Sequence, residues 1–212
     1  DCLLHTPAFF EPDLLAEMSQ PQAHIIPLIY LPRSTVEHTI AESVQRSSEI
    51  QIFGTDNKFW NSVAPPVDEL RPGLEADEIA VSQSLATELQ AAVGDELTLR
   101  FARTSGVPPD SPLGHRDDTT INLPRQTIIA ILPDVGVGGL SFASSQTVPR
   151  NVFCNVSTLQ EALECGAKVN AAVTLHTLSH SGKSDIEAAG NKPDGDIPIV
   201  HTGQQEQQLC LR

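Results

Sequence analysis

The residues best placed by type and spacing to do chemistry are His180-Ser-Gly-Lys-Ser184, which read as the second half of a phosphate-binding loop. Such a loop cradles phosphate with backbone N–H groups at a helix N-terminus and needs a second glycine five positions before Gly182. Position 177 is Thr, and Ser184-Asp-Ile-Glu187 puts acids where phosphate would sit, so nucleotide binding is not expected. His115-Arg-Asp-Asp118, with Asp110 close in sequence, offers oxygen ligands of the kind a hard cation takes. The glycine that a calcium loop requires is missing there, and the segment reads as a solvated loop tip.

The remaining candidates are scattered. Seven histidines occur singly, and His176 and His180 share a face only if their segment is helical, which a following Ser-Gly opposes. No GxSxG elbow and no HExxH appears, although a triad need not be local in sequence. Cys2, Cys154, Cys165 and Cys210 form no zinc spacing. Cys154 and Cys165 read as small buried hydrophobes, with a bond between them as the alternative. Phe59-Trp60 is either a core pair or an exposed grip for a ligand, and core is favoured because aromatics are only 4% of the chain. No catalytic, cofactor or metal residue is assigned.

Composition narrows the class. A 212-residue chain that is 40% hydrophobic can bury a substantial core, and 16 Pro with 13 Gly point to a turn-rich, β-rich molecule. The formal charge of −14 argues against nucleic acid and against an anionic bilayer, both of which need a basic footprint. The longest apolar run, Ile25 to Leu31, is far short of the ~20 residues that span a membrane. The opening Asp1-Cys2, without Met, reads as the start of a fragment of a longer protein.

The elements that must position these residues follow from periodicity. Glu78 to Phe101 reads as a strand, a helix, a turn and a strand. Ile79 and Val81 alternate; Ser82 caps a helix with Leu85, Ala86, Leu89 and Val93 on one face; Gly94-Asp95 ends it; Leu97, Leu99 and Phe101 alternate again. Leu89 in that helix is expected to be buried against a sheet. Residues 5 to 19 read as a helix, with Phe10, Leu14 and Met18 on one face. His24 to Leu31 reads as a strand closed by Pro32-Arg33-Ser34, and Thr35 to Val44 as either strand or helix. Glu96–Phe101 and Gln126–Leu132 are expected to pair antiparallel around a long excursion. Ser157-Thr-Leu-Gln160 reads as a capping box of a helix ended by Gly166, followed by a strand through Val169, Ala171, Val173 and Leu175.

Three stretches in order resemble one family. Ile50-Gln-Ile-Phe-Gly-Thr-Asp-Asn-Lys-Phe-Trp60, Glu78 to Phe101, and Thr127-Ile-Ile-Ala-Ile-Leu-Pro-Asp134 are similar to the signature of the MacB-like periplasmic core domain of FtsX-like ABC transporter permeases. Ala130 stands where many members have Gly. The loop Pro109-Asp-Ser-Pro-Leu-Gly-His-Arg-Asp-Asp118 agrees as well. The matching positions are Gly54, Asp56, Phe59, Glu78, Ser82, Leu85, Ala86, Gly94, Asp95 and Pro133. The resemblance implies an α+β fold of two lobes, with a β-rich lobe (50–167) inserted into a βαβ-type, porter-like lobe (1–49 and 168–212). It implies a non-catalytic, periplasmic domain, anchored to the inner membrane by transmembrane helices of the same chain. A cytoplasmic ATPase subunit and a possible permease dimer are the implied partners, with no cofactor and no nucleic acid. Both ends would then lie on one face, with Cys2 and Cys210 near each other. The competing expectation is a periplasmic ligand-binding or adaptor module.

Overall fold

The computed structural model describes residues 2–16, 23–62, 73–103, 120–142 and 147–176. The chain divides into two compact units, Asp1–Leu178 and Ser179–Arg212, and every described residue belongs to the first. The strands are β1 (Cys2–Phe10), β2 (Ala23–Ile40), β3 (Ser43–Thr55), β4 (Glu78–Ser82), β5 (Glu96–Ala102), β6 (Thr120–Leu132), β7 (Asn151–Asn155) and β8 (Val169–His176). Four short helices accompany them: α1 (Asp13–Ala16), α2 (Asn57–Ser62), α3 (Gln83–Leu89) and α4 (Val156–Leu163). None of these helices is long and apolar enough to cross a membrane.

The strands follow the order β1-β8-β2-β3-β7-β4-β6-β5, and β5 also pairs with β2. That last pairing closes β2, β3, β7, β4, β6 and β5 into a six-stranded barrel, with β8 and β1 continuing as a sheet from the first half of β2. Most pairs are antiparallel, while β3–β7 and β4–β6 run parallel.

The expected α+β arrangement, a β-rich lobe inserted into a βαβ-type porter-like lobe, therefore does not form; the molecule is mainly β and built on a closed barrel. The physical reason lies at Pro32-Arg33-Ser34, read from sequence as the end of a strand. Arg33 takes a left-handed φ of 54° and Glu49, on β3 between the partners of Ser34 and Thr35, takes 57°, and the β2–β3 register shifts at each in turn without breaking. A bulge of this kind bends and twists a strand instead of ending it. β2 thus pairs with β8 through Ala23–Leu28, then turns and pairs with β5 through Thr35–His38. A third bulge, at Arg125 with φ 55°, bends β6 where it faces β5.

Two hydrophobic cores sit on the two faces of the bent sheet. The first draws alternate residues from all six barrel strands, Val36, Ile52, Val152, Val81, Ile128 and Leu99 among them, and so fills the barrel. Leu85, Ala86 and Leu89 of α3 and Leu159 and Leu163 of α4 complete it. The second lies outside the barrel wall, where Tyr30, Phe53, Ala80, Phe153, Ala171 and Val173 meet Phe59 and Trp60 of α2. β4, β7 and the last four residues of β3 are buried on both faces, and β4 and β7 accordingly read as short apolar runs.

Local expectations fare unevenly. The strand–helix–turn–strand reading of 78–101 and the β5–β6 antiparallel pair both form. Leu85 and Leu89 are buried, but Val93 lies beyond the helix and is 60% exposed. Residues 5–10 are strand rather than helix, leaving only the turn of α1, where Leu14 is exposed. Thr35 to Val44 is strand on both sides of a tight turn at Ala41-Glu42. Met18, Asp110, His115–Asp118, Thr177, His180–Ser184 and Cys210 lie outside the described residues.

Candidate functional site

Of the ten positions that carry the resemblance, Leu85 and Ala86 of α3 pack in the barrel core, Phe59 lies in the second core outside the wall, and Gly54 lies beneath α4. Gly54 on β3 is fully surrounded: a Cβ there would meet Leu159 Cδ1 at 2.9 Å, Ile29 Cβ at 3.2 Å and Val156 Cα at 3.3 Å. Its lack of a side chain is what lets α4 lie against β3. Two residues on, Asp56 Oδ1 accepts from Phe59 N at 2.9 Å and caps α2, the helix that delivers Phe59 and Trp60 to the second core. The spacing Gly-x-Asp-x-x-Phe is thus a packing step followed by a capped turn. Phe59 and Trp60 are buried at 1% and 6% exposure, as the core reading expected.

α3 is held by partners distant in sequence. Ser82 occupies its N-cap position, but its hydroxyl does not cap the helix; it accepts from Asn151 N at 3.0 Å. The free N–H of Ser84 is met instead by Asp134 Oδ1 at 3.0 Å, from the residue after Pro133. Ser84 Oγ donates to Pro149 O at 3.2 Å, so both ends of the loop that follows β6 are tied to one helical residue. One turn later Glu88 accepts from Ser47 Oγ at 2.7 Å and from Arg150 Nη1 at 2.9 Å. Burial would push the Glu88 carboxyl up, but the Ser47 and Arg150 hydrogen bonds and the guanidinium charge outweigh it and hold its pKa below the ordinary value.

The helix ends earlier than Gly94. Gln90 takes the left-handed conformation, and Ala91 N returns to Ala86 O at 2.9 Å. Gly94, with φ 97°, serves the next turn, donating from N to Ile128 O at 2.8 Å, while Asp95 O accepts from Ile128 N at 2.9 Å. Asp95 Oδ2 accepts from Ala92 N at 2.8 Å. Glu78 closes the loop before β4 by accepting from Glu75 N at 2.9 Å. α4 is capped by Asn155, whose Oδ1 accepts from Ser157 N at 2.8 Å, rather than by a box beginning at Ser157.

Several residues that position this region escaped the sequence reading. Asn170, 2% exposed, donates to Tyr30 O at 2.9 Å and accepts from Tyr30 N at 2.8 Å, standing in for a strand just where β2 leaves β8. Asn151 Nδ2 donates to Gly138 O at 2.9 Å and Leu140 O at 2.7 Å and so shapes the loop after β6. Buried Glu37 is clamped between Arg46 and Arg100 on the outer barrel wall. The only sequence signal for such residues is a polar side chain at a position that the strand period marks as buried.

Nothing in this network resembles a reaction centre. Both ring nitrogens of buried His38 face acceptors, Leu89 O at 2.9 Å from Nδ1 and Asp95 Oδ2 at 3.6 Å from Nε2, so neither addresses a nucleophile. Cys154 and Cys165 are free thiols, and burial pushes the Cys154 thiol up to about 12, far from a thiolate at neutral pH. No group of three or more His, Cys, Asp or Glu among the described residues could hold a metal ion.

No family model matches the chain, and no curated protein matches it. Among solved structures it is similar to the periplasmic region of MacB from Actinobacillus actinomycetemcomitans, with a TM-score of 0.40 and 7% identity. The match covers 80% of this chain and 65% of that one, so the chain spans less than two thirds of that structure. A likeness of this size carries no argument about function.

Proposed function

We propose that this chain is a non-catalytic extracytoplasmic domain of an ABC transporter permease of the FtsX-like, MacB-like kind. In that role it lies between membrane-spanning helices of its parent protein and passes conformational change driven by a cytoplasmic ATPase to the outer compartment. One observation supports the reading: the signature stretches, distant in sequence, interlock in space through packing and caps. Gly54 admits α4, the Asp134 carboxylate caps α3, and Gly94 and Asp95 hold Ile128. Signature residues spent on rigidity suit a part that transmits force, whereas a reaction site would leave polar groups turned toward a substrate.

The test is to read the encoding gene outward from both ends and purify the complete product. The expected result is an apolar span of about 20 residues on each side and recovery in the membrane fraction with an ATPase. A secretion signal without such spans would sink the proposal and favour a periplasmic ligand-binding or adaptor module.

A further inference from the structure

The pairing of His38 with Asp95 has a chemistry that the scaffold role does not require. His38 lies inside the barrel near its end, opposite Gln45 of β3 and Leu97 of β5, with Gln126 of β6 opposite Leu97. It is 5% exposed. Its Nδ1 stands 2.9 Å from Leu89 O, the last residue of α3, and its Nε2 stands 3.6 Å from Asp95 Oδ2 in the turn leading into β5. A carbonyl and a carboxylate can only accept, so Nδ1 must carry the hydrogen of the first contact. A neutral imidazole has no second N–H to offer. The contact to Asp95 is therefore attractive only when the ring carries two protons; with one, a lone pair faces a carboxylate.

We infer that His38 and Asp95 form a proton-dependent latch on the turn that joins α3 to β5. With both ring nitrogens protonated, one side chain of β2 holds the end of α3 and the 92–95 turn together. When Nε2 loses its proton, the bond to Leu89 O persists and the tie to Asp95 reverses sign. The turn is thus held at the acidic end of the range and loosened as pH rises. Among the described residues no other charge is paired with the ring: the facing residues Gln45, Leu97 and Gln126 do not titrate, and Glu88, next to Leu89, is turned to Ser47 and Arg150. Asp95 is the one titratable side chain paired with His38 among the described residues. This inference does not depend on the transport reading.

The experiment uses the whole chain. Ring nitrogen chemical shifts of His38 are followed by NMR from about pH 5 to about pH 9, with amide exchange of residues 92–96 corrected for its intrinsic pH dependence. The ring is expected to pass from two N–H groups to one, and exchange at the turn to quicken at least about tenfold in the same step. Asp95→Asn should abolish that step, because its side chain carries no charge for the doubly protonated ring to attract or for the neutral ring to oppose. A ring with a single N–H throughout, exchange indifferent to the ring's transition, or acceleration that persists in Asp95→Asn would each overturn the latch. Should the variant fail to fold, coincidence of the two transitions in the unaltered protein decides alone.

Discussion

A missing side chain is the sharpest requirement at the level of single residues. Gly54 sits between Leu159, Ile29 and the backbone of Val156, and only Leu159 ends in a flexible tip that can give way. Gly54→Ala is expected to cost about 1–3 kcal/mol through overpacking, read as a lower midpoint in urea. Unchanged stability would show that α4 shifts freely. Glu88 gives a pH prediction at the same scale. Its folded pKa is lowered, so its contribution is fully present above the ordinary carboxylate value and is lost as pH falls through the lowered folded value. Thermal melts of the native chain and Glu88→Gln should therefore differ at neutral pH and converge in acid. A gap that stays constant with pH would contradict the role of the Ser47–Arg150 cage.

Among elements, α3 concentrates the stability argument. Leu89 is 1% exposed and fills the barrel, so Leu89→Ala is expected to cost about 2–5 kcal/mol, as large-to-small core changes do. Asp134→Ala removes the cap supplied from the end of the neighbouring strand β6 and should cost about 0.5–2 kcal/mol, while Ser82→Ala tests a different bond, to Asn151 N. A Glu88→Gln background separates the two: Asp134 and Glu88 hold one helix and should couple in a double-mutant cycle, whereas Ser82→Ala should add independently. A melting shift near zero for Leu89→Ala would mean that α3 is peripheral.

For the whole molecule, barrel closure and charge govern what the protein can do. The strand that closes the ring is β5, paired with β2 on one side and β6 on the other, so the barrel has no free edge along it. Fluorescent nucleotide with magnesium should show no saturable binding to the purified chain; micromolar saturation would end the transmitter reading. That expectation rests on Thr177 and on the acids after Ser184, in a chain of formal charge −14.

Sequence alone determined what local physics governs. The β4–α3–β5 run was legible because strand and helix periods alternate cleanly there, and the burial of Leu85, Leu89, Phe59 and Trp60 followed from those periods and from the scarcity of aromatics. Caps were legible as positions but not as partners: Ser82 stands at the N-cap, yet the group that meets Ser84 N comes from Asp134, fifty residues away. Hydrogen bonds across such separations leave no periodic trace. Residues 5–10 misled because their apolar spacing fits a helix as well as an edge strand, and only pairing with β8 decides between them. The fold class was decided by tertiary structure for a related reason. Pro32-Arg33-Ser34 carries the chemistry of a stop, and whether a chain stops or bulges there depends on a neighbour to pair with beyond it. β5 and the first half of β3 supply that neighbour, the strand carries on, and the sheet closes on itself.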